Sequence, residues 1–139
     1  TFTNVTTNLT NQNPVVQAVG ACSLDVDNNG LIEPSTDGVA ILRRMMGMEV
    51  GAFSGLAGSC AANTSASAIF AATSSNYNVT AGTSTTTAGR DGMVILRAMQ
   101  GLTGTSVTNG LGLTTESGAA NTSWPQLQTW LNSTCGTNF

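Results

Sequence analysis

"LDVDNNGLIEPSTDGVAILRRMMGM", Leu24–Met48, is the stretch on which the fold turns. It holds four of the chain's seven acids, Asp25, Asp27, Glu33 and Asp37. Carboxylates crowded on a tight loop repel one another, and a bound cation is the natural relief. The spacing suits calcium, with oxygen side chains at loop positions one, three and five (Asp25, Asp27, Asn29) and Gly30 at six for a sharp turn. Leu31, at seven, offers its backbone carbonyl, Glu33 at nine acts directly or through water, and Asp37 closes the loop from the first turn of a helix. Magnesium demands a stricter octahedron and keeps its waters, so a loop offering this many protein oxygens suits the larger ion better. From Asp37 onward the pattern changes: Val39, Ile41, Leu42, Met45 and Met46 recur at helical spacing until Gly47 ends the run.

The same unit is used twice. "DGVAILRRMMGM" at Asp37–Met48 returns as "DGMVILRAMQGL" at Asp91–Leu102, an offset of 54 residues. Each copy predicts a short helix with an acid at its start and glycine at its stop, its methionine-rich face buried in a core. "AANTS" at Ala61–Ser65 recurs at Ala119–Ser123, and each copy leads into a further predicted helix, Ala66–Ala72 and Trp124–Leu131. Pro125 stands in a first turn, where helices tolerate it. Trp124 and Trp130 are expected to pack that last helix into the core.

The rest of the chain is polar but nearly uncharged. Thr, Ser and Asn make up 48 of 139 residues, charged residues are 8%, and the net charge is -3 with no lysine and no histidine. A basic footprint for nucleic acid is missing. Without histidine the common general base, the Ser-His and Cys-His pairs and the histidine metal sites are gone, so the expectation is a protein that is not an enzyme. The longest apolar stretches fall short of the ~20 residues of a membrane span. Sequons at Asn4, Asn8, Asn63, Asn78, Asn121 and Asn132 are a mild excess over what so Asn-, Ser- and Thr-rich a chain gives by chance. Three cysteines, Cys22, Cys60 and Cys135, suit an oxidising compartment and leave one disulfide and one thiol. The chain begins at Thr1 with no basic-then-apolar leader, as after removal of a signal peptide, and an extracellular or cell-surface location is expected.

Residues 1–20 carry no charge, and their Thr, Val and Asn favour extended backbone over helix. They are read as an arm, with Phe2, Val5 and Leu9 as candidate assembly residues, ahead of one domain at 21–139. The remainder of the chain closes on itself and gives the arm no role within the molecule. Copies of the same chain, in an oligomer or filament, are therefore its expected partner, and the alternative folds the arm back on its own domain.

"LDVDNNGLIEPSTDGVAILRRMMG" resembles the calcium-binding loop-helix repeat of dockerins, and more closely the dockerin-like repeat domains of secreted bacterial proteins. The resemblance spans about residues 22–135. It implies a mainly α fold of two loop-helix-loop-helix repeats packed about a pseudo-twofold axis, with calcium as cofactor. It also implies that the chain ends meet, pairing Cys22 with Cys135; Cys60 with Cys135 is the alternative. Ser35, Thr36, Arg43 and Arg44 match positions that dockerins use for cohesin contact, which makes a cohesin-like scaffold protein the alternative partner. The closing acid stands at loop position thirteen instead of twelve. The second loop, "NYNVTAGTSTTTAGRDG", keeps only Asp91 among its carboxylates and is expected to use it as a helix cap rather than hold calcium tightly.

Overall fold

The computed structural model describes residues 22–83 and 85–139. Among them the chain is mainly helical and forms no strand. The arm at 1–20, with Phe2, Val5 and Leu9, lies outside the described residues.

Five α-helices follow one another: α1 at Val39–Met45, α2 at Ala66–Ala72, α3 at Met93–Met99, α4 at Thr105–Thr108 and α5 at Trp124–Thr134. Four of these, all but α4, carry the patterns that predict them. Helix α2 has the expected bounds, with Ser65 Oγ accepting the Ala68 N–H at its start. Helix α5 runs three residues past the expected Leu131; its Gln126 Oε1 accepts the Ser123 N–H, so a side chain satisfies a donor the first turn leaves free. Helices α1 and α3 are each entered through a wide π-type turn, Pro34–Gly38 and Ala88–Gly92.

That entry corrects one expectation. Asp37 and Asp91 stand inside the wide turn, not at a helix N-cap, and their carboxylates reach backwards into the preceding loop. The loops after α1 and α3 also hold unforeseen structure: a 3-10 turn at Val50–Phe53 in one, and α4 with a 3-10 turn at Leu113–Thr115 in the other. Elements of three or four residues are too short for a hydrophobic period to register.

The first and third helices cross through glycine. A Cβ on Gly38 would lie 2.8 Å from Leu96 Cδ1 and 3.1 Å from Met99 Sδ, and one on Gly92 would lie 2.6 Å from Leu42 Cδ2 and 2.9 Å from Met45 Sδ. Each turn's missing side chain thus makes room for the other copy's helix. Around this crossing lie buried Leu24, Val26, Ile41, Phe53, Ile69, Val79, Val94, Ile95, Leu127 and Leu131, with Trp124 and Trp130 packed against them. Phe53 meets Phe70 of α2 edge to face, centroids 5.2 Å apart, which seats α2 on the Val50–Phe53 turn.

One arginine staples each helix of the repeat to the segment beyond it. Arg43 donates to the Ala52 carbonyl, and Arg97 to those of Val107 and Asn109 at 2.9 and 2.8 Å. Cys22 and Cys135 form the disulfide, their Cα atoms 4.5 Å apart and 113 positions apart in sequence. Cys60 is an exposed free thiol.

Candidate metal centre

The site is built on the loop between Cys22 and the Pro34–Gly38 turn. Asp37, fully buried, organises it: Oδ1 accepts the N–H of Val26 at 2.8 Å and Oδ2 that of Glu33 at 2.8 Å, so one carboxylate draws both ends of the loop together. Asp25 accepts from Asn29 N at 3.1 Å and Gly30 N at 2.9 Å. Gly30 has a φ of +89°, a left-handed conformation that favours glycine and fits the turn expected there. Asp27 accepts from Asn29 N at 3.2 Å on Oδ1 and from Gly58 N at 2.6 Å on Oδ2.

The result is one convergent cluster. Asp25, Asp27 and Asp37 are buried, and one oxygen of each lies within 4.8 Å of the others, a group that can hold a metal ion. Burial raises the Asp25 carboxyl above its ordinary value and pushes that of Asp37 up to about 6. Backbone N–H groups act in the opposite sense on both without outweighing the loss of water. The donors are all hard oxygens, the chemistry that divalent cations of the calcium and magnesium type require.

The other expected ligands lie at the edge of the cluster. Asn29 accepts the Leu31 N–H on Oδ1 at 2.8 Å and donates from Nδ2 to Glu33 Oε2 at 3.0 Å. Glu33 Oε2 and Asp27 Oδ2 both close on Gly58, each 3.0 Å from where a Cβ would stand. The Leu31 side chain is exposed.

Sequence reasoning missed two residues here. Gly58, from the loop beyond α1, covers the cluster with its N–H and leaves its side-chain space to the acids. Asn63 ties that covering loop down, donating from Nδ2 to the Val26 carbonyl at 2.9 Å and from its backbone N–H to that of Asp27 at 2.9 Å. The signal was available in the repeated "AANTS": Asn121 in the second copy donates to the Val79 carbonyl at 2.9 Å in the same way. Asn78 and Asn132 also donate their amides to backbone carbonyls, so all four described sequon asparagines serve the fold through their side chains.

The second loop keeps the frame and loses the cluster. Asp91 Oδ1 accepts the Thr80 N–H at 3.1 Å and Oδ2 that of Thr87 at 3.0 Å, the positions of Val26 and Glu33 carried on by 54. Val79 and Ala81 stand where Asp25 and Asp27 would be. Buried Glu116, from the covering loop, presses its carboxylate against Gly82 where a Cβ would otherwise sit.

Arg44 stacks on the Phe70 ring, 4.0 Å from its centroid, and donates to the Phe70 carbonyl at 3.2 Å. Both arginines matched to the cohesin-binding pair are therefore engaged within the chain, while Ser35 is exposed and Thr36 half-buried. No family model, curated protein or solved structure matches this chain. Among the described residues no helix is long and apolar enough to cross a membrane.

Proposed function

We propose that this chain is a calcium-stabilised extracellular structural and interaction module, a subunit of a fibre or surface assembly, built from two dockerin-like repeats of which the first holds the ion. The observation that carries the reading is the buried convergence of Asp25, Asp27 and Asp37. Three carboxylates withdrawn from water at such separations repel strongly, and a divalent ion turns that cost into binding energy. Calcium is favoured over magnesium because Asn29, Glu33 and the Leu31 carbonyl extend the oxygen supply beyond what an octahedral ion takes from protein. The Cys22–Cys135 bond supports an oxidising, extracellular setting.

The cluster acids accept backbone N–H groups of their own loop and of Gly58 in the covering loop, which suits ligands and leaves no base poised for chemistry. Assembly, rather than catalysis, is the use we assign to the module. Attachment to a cohesin-like scaffold is the alternative, and the engagement of Arg43 and Arg44 within the chain weighs against it.

Thermal unfolding in calcium and in chelator tests the reading. Calcium at ~100 times its Kd should add about 2.7 kcal/mol, and Asp25→Ala should lose that increment. A melting temperature indifferent to chelation overturns the metal site, and calcium-loaded material that shows no regular particles by negative stain overturns the assembly role.

A further inference from the structure

A cleft of about 290 Å³ lies where the last turn of α1 meets the segment that leaves α2, and Arg44, Met45, Thr73, Ser74, Asn76 and Tyr77 are among its lining. One wall is pinned. Tyr77 Oη donates to the Ser23 carbonyl at 3.0 Å and Ser75 Oγ accepts the Ser23 N–H at 3.1 Å, which ties the segment down next to Cys22. Among the described residues Arg44 is the only charged side chain on the lining. The Phe70 ring takes one face of its guanidinium and the Phe70 carbonyl one N–H, and no described acid pairs with the rest of a group that carries five N–H donors. A half-buried cation held by a ring and lacking an acid draws its counter-charge from outside the chain.

The hydroxyls beside it have the opposite hydrogen-bonding sense. Thr73 Oγ1 donates to the Phe70 carbonyl at 2.6 Å and Ser74 Oγ to the Ala71 carbonyl at 2.8 Å, so each has committed its single proton and keeps lone pairs alone. Asn76 accepts the Asn78 N–H on Oδ1 at 3.1 Å and keeps its amide donors. Donors at Arg44 and Asn76 thus stand beside acceptors at Thr73 and Ser74. The complement is a molecule that joins an anionic acceptor to several hydroxyl donors. We propose that this cleft binds a sugar acid, its carboxylate on Arg44 and Asn76 and its ring hydroxyls donating to Thr73 and Ser74. The planar fork of an arginine matches a carboxylate. A volume at the lower end of ligand clefts, roughly 300 Å³, suits a single ring, whose C–H face meets Met45 and Tyr77. The site is separate from the acidic cluster and stands or falls apart from the assembly reading.

Glucuronate titrated into the full chain in calcium, followed by amide chemical shifts, tests it. Saturable shifts centred on residues 73–77 are expected, with glucose and acetate each about tenfold weaker or more because each satisfies half of the site. Arg44→Gln should weaken glucuronate about tenfold or more. Ser74→Ala, at an exposed position, should weaken glucuronate about threefold and leave acetate unchanged, and it carries the test if Arg44→Gln does not fold. A parent chain without saturable shifts in that segment overturns the proposal. So does either variant binding glucuronate like the parent, since the ligand then sits elsewhere, the calcium ion included. Acetate that binds as tightly as glucuronate reduces the cleft to a plain anion site and overturns the sugar acid.

Discussion

Gly58 touches the acidic cluster without offering a side chain, and that is its contribution. A methyl group there would lie 3.0 Å from both Asp27 Oδ2 and Glu33 Oε2 and 2.9 Å from Asn29 Nδ2. Gly58→Ala should therefore spread the ligands and weaken calcium binding about tenfold or more by titration calorimetry, whereas Gly51→Ala, with open space around it, should leave it unchanged. The acids themselves were legible because four of seven crowd one loop; Gly58 was not, since its N–H meets an acid more than thirty positions away, and the repeated "AANTS" marked Asn63 without telling that its partner is Val26. Protons compete for the same oxygens. Asp37, pushed up to about 6 by burial from an ordinary 3.8, holds its proton more tightly folded than unfolded. Without metal, stability should rise as pH falls from about 6 towards 4 and decline on the way back up, by at most ~3 kcal/mol. With calcium the trend inverts, because the ion must displace that proton. Denaturant titrations of metal-free and calcium-loaded samples at about pH 5 and about pH 7 should therefore shift in opposite directions.

The crossing of α1 and α3 depends on two glycines doing the same job from opposite sides. Gly38→Ala and Gly92→Ala should each cost about 1–3 kcal/mol by denaturant unfolding, since Leu96 or Leu42 must move to admit the new methyl. Gly89→Ala, in the same wide turn with nothing within 4 Å, should be neutral. The repeated "DG" advertised a helix start in the sequence, and the helices are there. Its second meaning, a cleared crossing point, was hidden because it depends on which helix lies opposite, something no local pattern encodes. The wide-turn entry was hidden for a related reason: Asp37 and Asp91 have the composition of a cap but find partners eleven residues back, at Val26 and Thr80. Helix α2, by contrast, needed only its own apolar spacing and Ser65, and its bounds were readable.

At the scale of the whole molecule the repeat was legible and its asymmetry only half so. Replacement of Asp25 and Asp27 by Val79 and Ala81 could be read directly, while the arrival of Glu116 beside Gly82 could not, because the acid comes from a loop thirty-four positions on. The Cys22–Cys135 bond joins the two edges of the domain across 113 positions. Its consequence is mechanical. Tension entering the chain ahead of Cys22 and leaving beyond Cys135 passes through a single sulfur-sulfur link and bypasses every helix between them. Pulled from its two ends by force spectroscopy, the oxidised molecule should release no contour length from the domain, whereas after reduction it should yield about 40 nm. Load carried along that path would leave the acidic cluster, the crossing glycines and the core sheltered from the pull.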